Sequence, residues 1–246
     1  MTLVSKGALS KGAAAPAAAS DLVVSIHQPA YLPWLGYFDK IRRADLFIYL
    51  DTVQFQKQSF QNRNKIRTAD GWAWLTVPVE TKGRLYDTAL KDLPINNRVD
   101  WRRKHSAAIA MNYGKAPRFA EVMPLLERFY EREWERLSDL CFEMLLTFNR
   151  LLGITTPIRK ASEMGAVAGG KSDLILNLCR AAGATGYVSG TLGRNYLDLA
   201  AFADQGIDVA FQDYAHPTYR QAYPGFEPFM AVIDLLMNEA DPAAIL

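Results

Sequence analysis

A β-branched run at Val23 to Ile26 stops at Gln28-Pro29. Past Pro33 an apolar stripe follows at Trp34, Leu35, Tyr37, Phe38 and Ile41, and then a second apolar run at Leu46 to Leu50. The stripe has the i, i+1, i+3, i+4, i+7 spacing of one helix face, and the two runs have the length and composition of strands. Strand, helix and strand within about thirty residues form a βαβ unit, which lays its strands parallel with a right-handed crossover. That unit commits the chain to the α/β class, because a parallel sheet needs helices on its faces.

The last third of the chain returns to the same rhythm. It predicts a strand near Ile158, a helix from Ser172 to Ala182, a strand at Tyr187-Val188 ending in Ser189-Gly190, a helix from Tyr196 to Asp204, a strand from Asp208 to Phe211 and a closing helix around Phe229 to Asn238. Between the two α/β stretches, Val99 to Tyr113 and Arg118 to Leu152 read as helices, the second broken near Trp134, so residues 99 to 152 form a helical insertion. Residues 51 to 67, DTVQFQKQSFQNRNKIR, read as a polar loop ahead of a strand at Trp72 to Val79, and loops of that length tend to be functional. The first twenty residues are small and Ala-rich, and are expected to be a disordered tail preceding one domain at 21 to 246.

Composition narrows the partners. Half of the 246 residues are apolar and the formal net charge is +2, too small to make nucleic acid or an anionic membrane the main partner. Nothing approaches the roughly 18 apolar residues needed to span a bilayer, so no membrane insertion is expected. Cys141 and Cys179 lie in apolar helical patterns with no metal-ligand spacing, and read as buried thiols of a cytoplasmic protein. GxSxG, HExxH, GxGxxG and CxxC elements are missing, so no metal is expected and the residues name no cofactor.

Several short clusters carry candidate chemistry. His27, Gln28 and Tyr31 follow a strand and precede a helix start, where open α/β sheets bind ligands and free N–H groups favour anions; a His that merely caps the turn fits as well. Asp51 ends the second strand, and Gln54, Lys57, Asn62 and Arg63 follow it, with Asn64 and Lys65 beyond. Amides and cations at a strand end suit a ligand dense in hydroxyls and phosphates, such as a nucleotide-sugar or other phosphorylated small molecule. A solvated loop shares that composition, although Phe55, Phe60 and Ile66 would pin this one to the body. Lys171-Ser172 resembles part of a phosphate-binding turn or an ordinary N-cap. Ser189, Gly190, Arg194 and Tyr196 combine a strand end, a close backbone approach and a helix start, in either a ligand loop or a tight turn. His216 reads as a general base oriented by Asp213, or as part of a polar connection, and His105 as structural or exposed.

The blocks IHQPAYLPWLGYFDKIRRADLFIYLDTVQFQKQSFQNRNKI, WLTVPV, WRRKH, YGKAP, YVSGTLGRNYLD and IDLLMN occur in order from about residue 23 to 238, and together they resemble the WbqC-like family. Arg194 and Tyr196 match its pattern. Thr191-Leu192-Gly193 and Asn195 stand where the family more often has Pro or Ala and then Arg-Asp-Tyr, so no acid is expected at position 195. The resemblance implies a place in bacterial surface-polysaccharide and O-antigen biosynthesis, in the cytoplasmic supply of modified sugars.

The combined expectation is an α/β enzyme with a mostly parallel, Rossmann-like sheet and a helical insertion, transferring an acyl or aminoacyl group to a nucleotide-linked amino sugar. His27 and Lys171 would contact phosphate, Asp51, Gln54, Asn62 and Arg63 would hold sugar and phosphate oxygens, and His216 would take a proton from the attacking amine. A non-catalytic nucleotide-sugar-binding or scaffold protein and a nucleotidyltransferase are the alternatives.

Overall fold

In a computed structural model, which describes residues 21–81 and 88–246, the apolar runs form a five-stranded parallel sheet. Its strands are β1 (Val23–His27), β2 (Leu46–Tyr49), β5 (Ile158–Lys160), β6 (Gly186–Ser189) and β7 (Asp208–Phe211), in the spatial order β5-β2-β1-β6-β7. The expected tail at residues 1 to 20 lies outside the described residues. β1 and β2 pair in parallel through the eight-residue helix α1 (Leu35–Arg42), which is the βαβ unit of the sequence. From β2 the chain steps outward to β5, returns across the sheet to β6 and ends on β7, giving the doubly wound, Rossmann-like arrangement.

The period-two alternation of the strands assigns their side chains to two cores. Val24, Ile26, Leu46 and Ile48 pack with Ile175, Leu178 and Phe202 from α5 (Ser172–Ala182) and α6 (Leu199–Asp204). Phe47 and Tyr49 face the opposite way, where Leu35, Phe38 and Ile41 of α1 join a larger core. That second core continues into α2 (Trp101–Tyr113), α3 (Phe119–Glu131) and α4 (Leu137–Leu151). The chain leaves helical geometry between α3 and α4, where Trp134 is buried and donates its Nε1–H to the Phe129 carbonyl 2.9 Å away.

One expectation is corrected. Residues 63 to 67 do not belong to a long loop: Arg63–Thr68 form β3, which pairs antiparallel with β4 (Gly71–Thr76) in a separate two-stranded ribbon. The predicted strand at Trp72 to Val79 therefore stands outside the parallel sheet and is shorter. The ribbon's inner positions, Asn64, Ile66 and Leu75, are buried, so the period of two is present in a stretch whose polarity suggested a loop.

The C-terminal helix α7 (Val232–Asn238) is buried along its whole length. Its Asp234 carboxylate accepts hydrogen bonds from Tyr113 Oη at 2.9 Å, Tyr219 Oη at 2.8 Å and Gln221 Nε2 at 2.7 Å. Tyr113 Oη also accepts the Arg67 backbone N–H, which joins α2, the ribbon and the C-terminal segment at one point. Burial is the largest influence on Asp234 and pushes its pKa above the usual carboxylate range, against the pull of its donors. Asp234→Ala leaves three buried donors without an acceptor and is expected to cost about 3–5 kcal/mol of stability, read as a lower denaturant midpoint with an unchanged slope.

Candidate functional site

The strand order reverses between β1 and β6, and ligands of open α/β sheets bind beyond the carboxyl ends of the strands at such a point. β1 keeps register with β2 through His27↔Tyr49 but with β6 only through Ser25↔Val188. The His27 carbonyl points toward β2, where it accepts the Leu50 N–H at 2.9 Å, so the preceding carbonyl, that of Ile26, points into the gap beside β6. Lys40 fills that gap from α1, with its Nζ 2.7 Å from the Ile26 oxygen.

Lys40 is 3% exposed and takes part in no ion pair among the described residues. Burial alone brings its ammonium down to about 7, so amine and ammonium coexist at neutral pH. Sequence reasoning missed this residue, because a lysine beside Asp39 on an amphipathic helix reads as solvated. The described geometry contains no other buried lysine.

His27 stands beside it, with Nδ1 3.0 Å from the Gln28 carbonyl and its ring packed 4.6 Å from Tyr37 and 5.6 Å from Trp34, centroid to centroid. Burial first, and then the charge of Lys40, hold its pKa down to about 3. The imidazole is therefore neutral here, and the charged group beside it is Lys40. Gln28 completes the edge, its Oε1 accepting Gln61 Nε2 at 2.6 Å. Ser189 is buried at the end of β6 with Oγ 3.1 Å from the Gly190 carbonyl.

The N-terminus of α1, where a dinucleotide fold usually seats phosphate, is closed by the chain itself. A Cβ at Gly36 would sit 2.9 Å from the Tyr214 ring and 3.0 Å from Trp34 Nε1. Val232 N–H bonds to the Pro33 carbonyl, and Gln212 Nε2 bonds to the Gly36 carbonyl and to Asp39 Oδ2. On the other face, α5 carries the chain back from β5 to the start of β6, so its N-terminus also lies at the carboxyl edge. Lys171 is exposed there in a left-handed conformation, φ 50°, after Gly169 at φ 114°. Ser172 Oγ accepts the Asp198 N–H at 2.9 Å, bringing the end of the 191–196 turn to the same edge. On that turn Arg194 is exposed with its guanidinium 4.2 Å from the centre of the Phe211 ring, and Tyr196 is 44% exposed.

The other predicted residues divide sharply. Tyr31 is fully buried, its Oη within 2.8 Å of both His105 Nδ1 and Tyr130 Oη, and is a core residue rather than a ligand contact. His105 is likewise buried, which lowers it to about 4. Asp51 is buried and spends both carboxylate oxygens on Ser162, one on its N–H at 2.9 Å and one on its hydroxyl at 2.6 Å, so it ties β2 to the end of β5 and has no oxygen left for a sugar. Asn62 donates to the Val77 carbonyl at 2.9 Å and fastens the loop to the ribbon. Asn62 also lines, with Phe55, Lys57, Gln58 and Arg63, a concavity of about 220 Å³, where Arg63 Nη2 donates to the Gln58 carbonyl. Gln54 is exposed and bridges to Ala89.

The pairing of His216 with Asp213 is absent. His216 Nδ1 lies 2.8 Å from the Pro217 carbonyl, and its ring is enclosed by Tyr214, Tyr219, Phe226 and Phe229, while Asp213 is exposed. Burial lowers the pKa of His216 below the usual histidine value. The peptide before Pro217 turns the imidazole inward, toward rings instead of the neighbouring acid. Both cysteines are buried and free. Among the described residues no cluster of His, Cys, Asp and Glu is arranged to hold a metal, and no helix is long and apolar enough to cross a membrane.

The Lys40 environment fixes the sign of a pH effect. The unfolded chain holds the Lys40 proton up to pH 10.5 and the folded chain only to about 7, so stability rises with pH between those values and the burial penalty is complete below 7. Lys40→Met removes this titration but leaves the Ile26 carbonyl without its donor, so its stability relative to the parent protein is expected to be more favourable at pH 6 than at pH 10. Chemical denaturation of both proteins at the two pH values measures it.

The comparisons agree with the blocks read from the sequence. Residues 28–245 match the model of the WbqC-like protein family. An uncharacterized protein of Mycobacterium tuberculosis (strain ATCC 25618 / H37Rv) is 39% identical over 217 residues, covering 87% of this chain and 93% of the relative. No solved structure matches the chain. With the family match running over β2, β5, β6 and β7 of the parallel sheet, the ribbon and α7 alike, the chain belongs to the WbqC-like protein family.

Proposed function

We propose that the protein is a group-transfer enzyme of surface-polysaccharide biosynthesis. It takes a nucleotide-linked amino sugar across the carboxyl edge of its sheet at the β1/β6 switch point. The observation that carries this reading is the buried Lys40 amine, held at the gap between the strands by a single carbonyl. An uncompensated cation of this kind costs stability, and such groups concentrate where chemistry needs a poised base. His27, Gln28, Ser189 and Gly190 supply neutral hydrogen-bonding groups around it, and Lys171, Arg194 and Tyr196 on the α5 side supply cations and a hydroxyl for the diphosphate.

In the reaction the sugar amine attacks the carbonyl carbon of an acyl or aminoacyl ester or thioester. A C–N bond forms, the bond to the leaving oxygen or sulfur breaks with its electron pair, and the amine proton passes to unprotonated Lys40. Lys40 replaces His216 in this role because His216 is enclosed by aromatic rings and has no acid to orient it. The concavity beside Lys57 and Arg63 supports a second reading, a carrier that holds a sugar without altering it, since those residues lie on the loop and ribbon rather than at Lys40.

Incubation with UDP- and dTDP-linked amino sugars and thioester or aminoacyl-ester donors, followed by mass spectrometry, separates the readings. Transfer yields the mass of the acylated sugar; a carrier returns the sugar unchanged, and a nucleotidyltransferase releases pyrophosphate. Transfer is expected to fall about tenfold per pH unit below pH 7. It is expected to be lost in Lys40→Met while the sugar still binds; an unchanged rate and pH profile in that variant removes Lys40 from the reaction.

A second variant addresses the loop. Arg63→Lys keeps the charge but loses the planar group, and if the loop grips a phosphate or carboxylate through two parallel bonds, calorimetric affinity for the nucleotide-sugar drops about tenfold with the melting temperature unchanged. Equal affinities place the sugar away from the loop.

A further inference from the structure

Outside the switch point, the exposed face of the ribbon has a composition that neither the fold nor the proposed transfer explains. On β3 Arg63 and Lys65 face outward, and opposite this side of the strand β4 carries Thr76, Trp74 and Trp72, while Arg67, next on the same side, is buried and donates to the Thr68, Gly71 and Pro224 carbonyls. Instead of pairing with acids, the cations lie over the rings diagonal to them: Arg63 Cζ is 4.2 Å from the centre of Trp74, and Lys65 Nζ is 4.1 Å from that of Trp72. None of the three takes part in an ion pair among the described residues. The Arg63 Nε is buried and has no hydrogen-bond partner.

The aromatic surface is continuous. Trp72 is 5.6 Å from Trp74, Trp74 is 5.9 Å from Phe60, and Phe60 is 5.2 Å from Trp34, centroid to centroid. Trp34 in turn packs on His27 at the end of β1. Trp72 and Phe60 are 43% and 40% exposed, an unusual loss of burial for rings of this size unless something else covers them. The track thus leads from the carboxyl edge of the sheet out along the ribbon.

We infer that this face is an extended binding surface for an acidic glycan, whose sugar rings lie along Trp34, Phe60, Trp74 and Trp72 and whose carboxylates meet Lys65 and Arg63. Aromatic faces are electron-rich and attract the C–H face of a pyranose ring, and four rings in successive contact extend that surface along the ribbon. The unpaired cations select for negative charge on that chain. Single-stranded nucleic acid also uses rings and cations, but it draws its affinity from many phosphate contacts. The ribbon offers only these few cations on a chain whose net charge is +2, which favours the sparser charge of a uronate chain. This assignment does not depend on the identity of the ligand at the switch point, so the two readings fail separately.

The test is calorimetric titration of the full chain with a galacturonate hexamer, a neutral cellohexaose and a uridine dodecamer. Binding of the galacturonate is expected to exceed that of both other probes by about tenfold or more and to weaken with added salt. Trp72→Ala and Lys65→Gln are each expected to reduce it roughly tenfold, with circular dichroism unchanged. Should Trp72→Ala fail to fold, Lys65→Gln carries the test, because Lys65 makes no side-chain hydrogen bond or ion pair that the fold uses. The inference is overturned if the galacturonate does not bind, if either folded variant binds it as well as the parent, or if the uridine oligomer binds more tightly.

Discussion

β1 loses its β6 partner two residues before it loses β2, and the arrangement of the carboxyl edge follows from that offset. A carbonyl left facing a gap inside a sheet has to be satisfied, because a buried unpaired acceptor costs as much as the bond it forgoes. Water or a backbone N–H would satisfy it without charge. The chain instead uses Lys40, which cannot reach Ile26 without leaving water. The same ammonium lies close enough to His27 to help keep that imidazole neutral. The side chain that fills this gap in the hydrogen-bond ladder thus adds its charge to the burial that already keeps His27 neutral.

The sequence foretold the architecture wherever a single periodicity dominated. Val23 to Leu50 read correctly because strand, helix and strand each carry an undiluted pattern, and the helix expected from Ser172 to Ala182 is α5, which ends at Gly183 with φ 74°. The ribbon was missed in part because its outward positions are Arg and Lys, which raise the polarity of the segment to that of a loop. The alternation of Arg63, Lys65 and Arg67 with Asn64 and Ile66, mirrored by Trp72 and Trp74, was nonetheless a strand signal of period two.

The candidate site was less legible, for a physical reason. Position relative to a strand end is local and could be read for His27, Gln28, Ser189 and Gly190, whereas hydrogen-bond partners are long-range and could not. Asp51 is consumed by Ser162, which is 111 residues away, and Tyr31 by His105, which is 74 away. His216 shows the converse error: Asp213 was near in sequence, but the imidazole follows the geometry of the adjacent Pro217 carbonyl. Lys40 had no local signal at all, since its burial depends on the sheet that α1 covers.

Charge is the last constraint, and it argues for local rather than global recognition. The ion pairs of the described residues fall on α1, around α2 and α3, at Lys91 beside Asp92 and at Lys160 beside Asp139, and so cancel within their own neighbourhoods. Among the cations outside those pairs are Lys40 under the switch point, Arg194 against Phe211, and the ribbon cations against Trp72 and Trp74. A ring face stabilises a cation without neutralising it, so these groups are held in place and still present their full charge to a ligand. A chain with almost no net charge can in this way attract an anion at chosen points while exerting little long-range pull on nucleic acid or an anionic membrane.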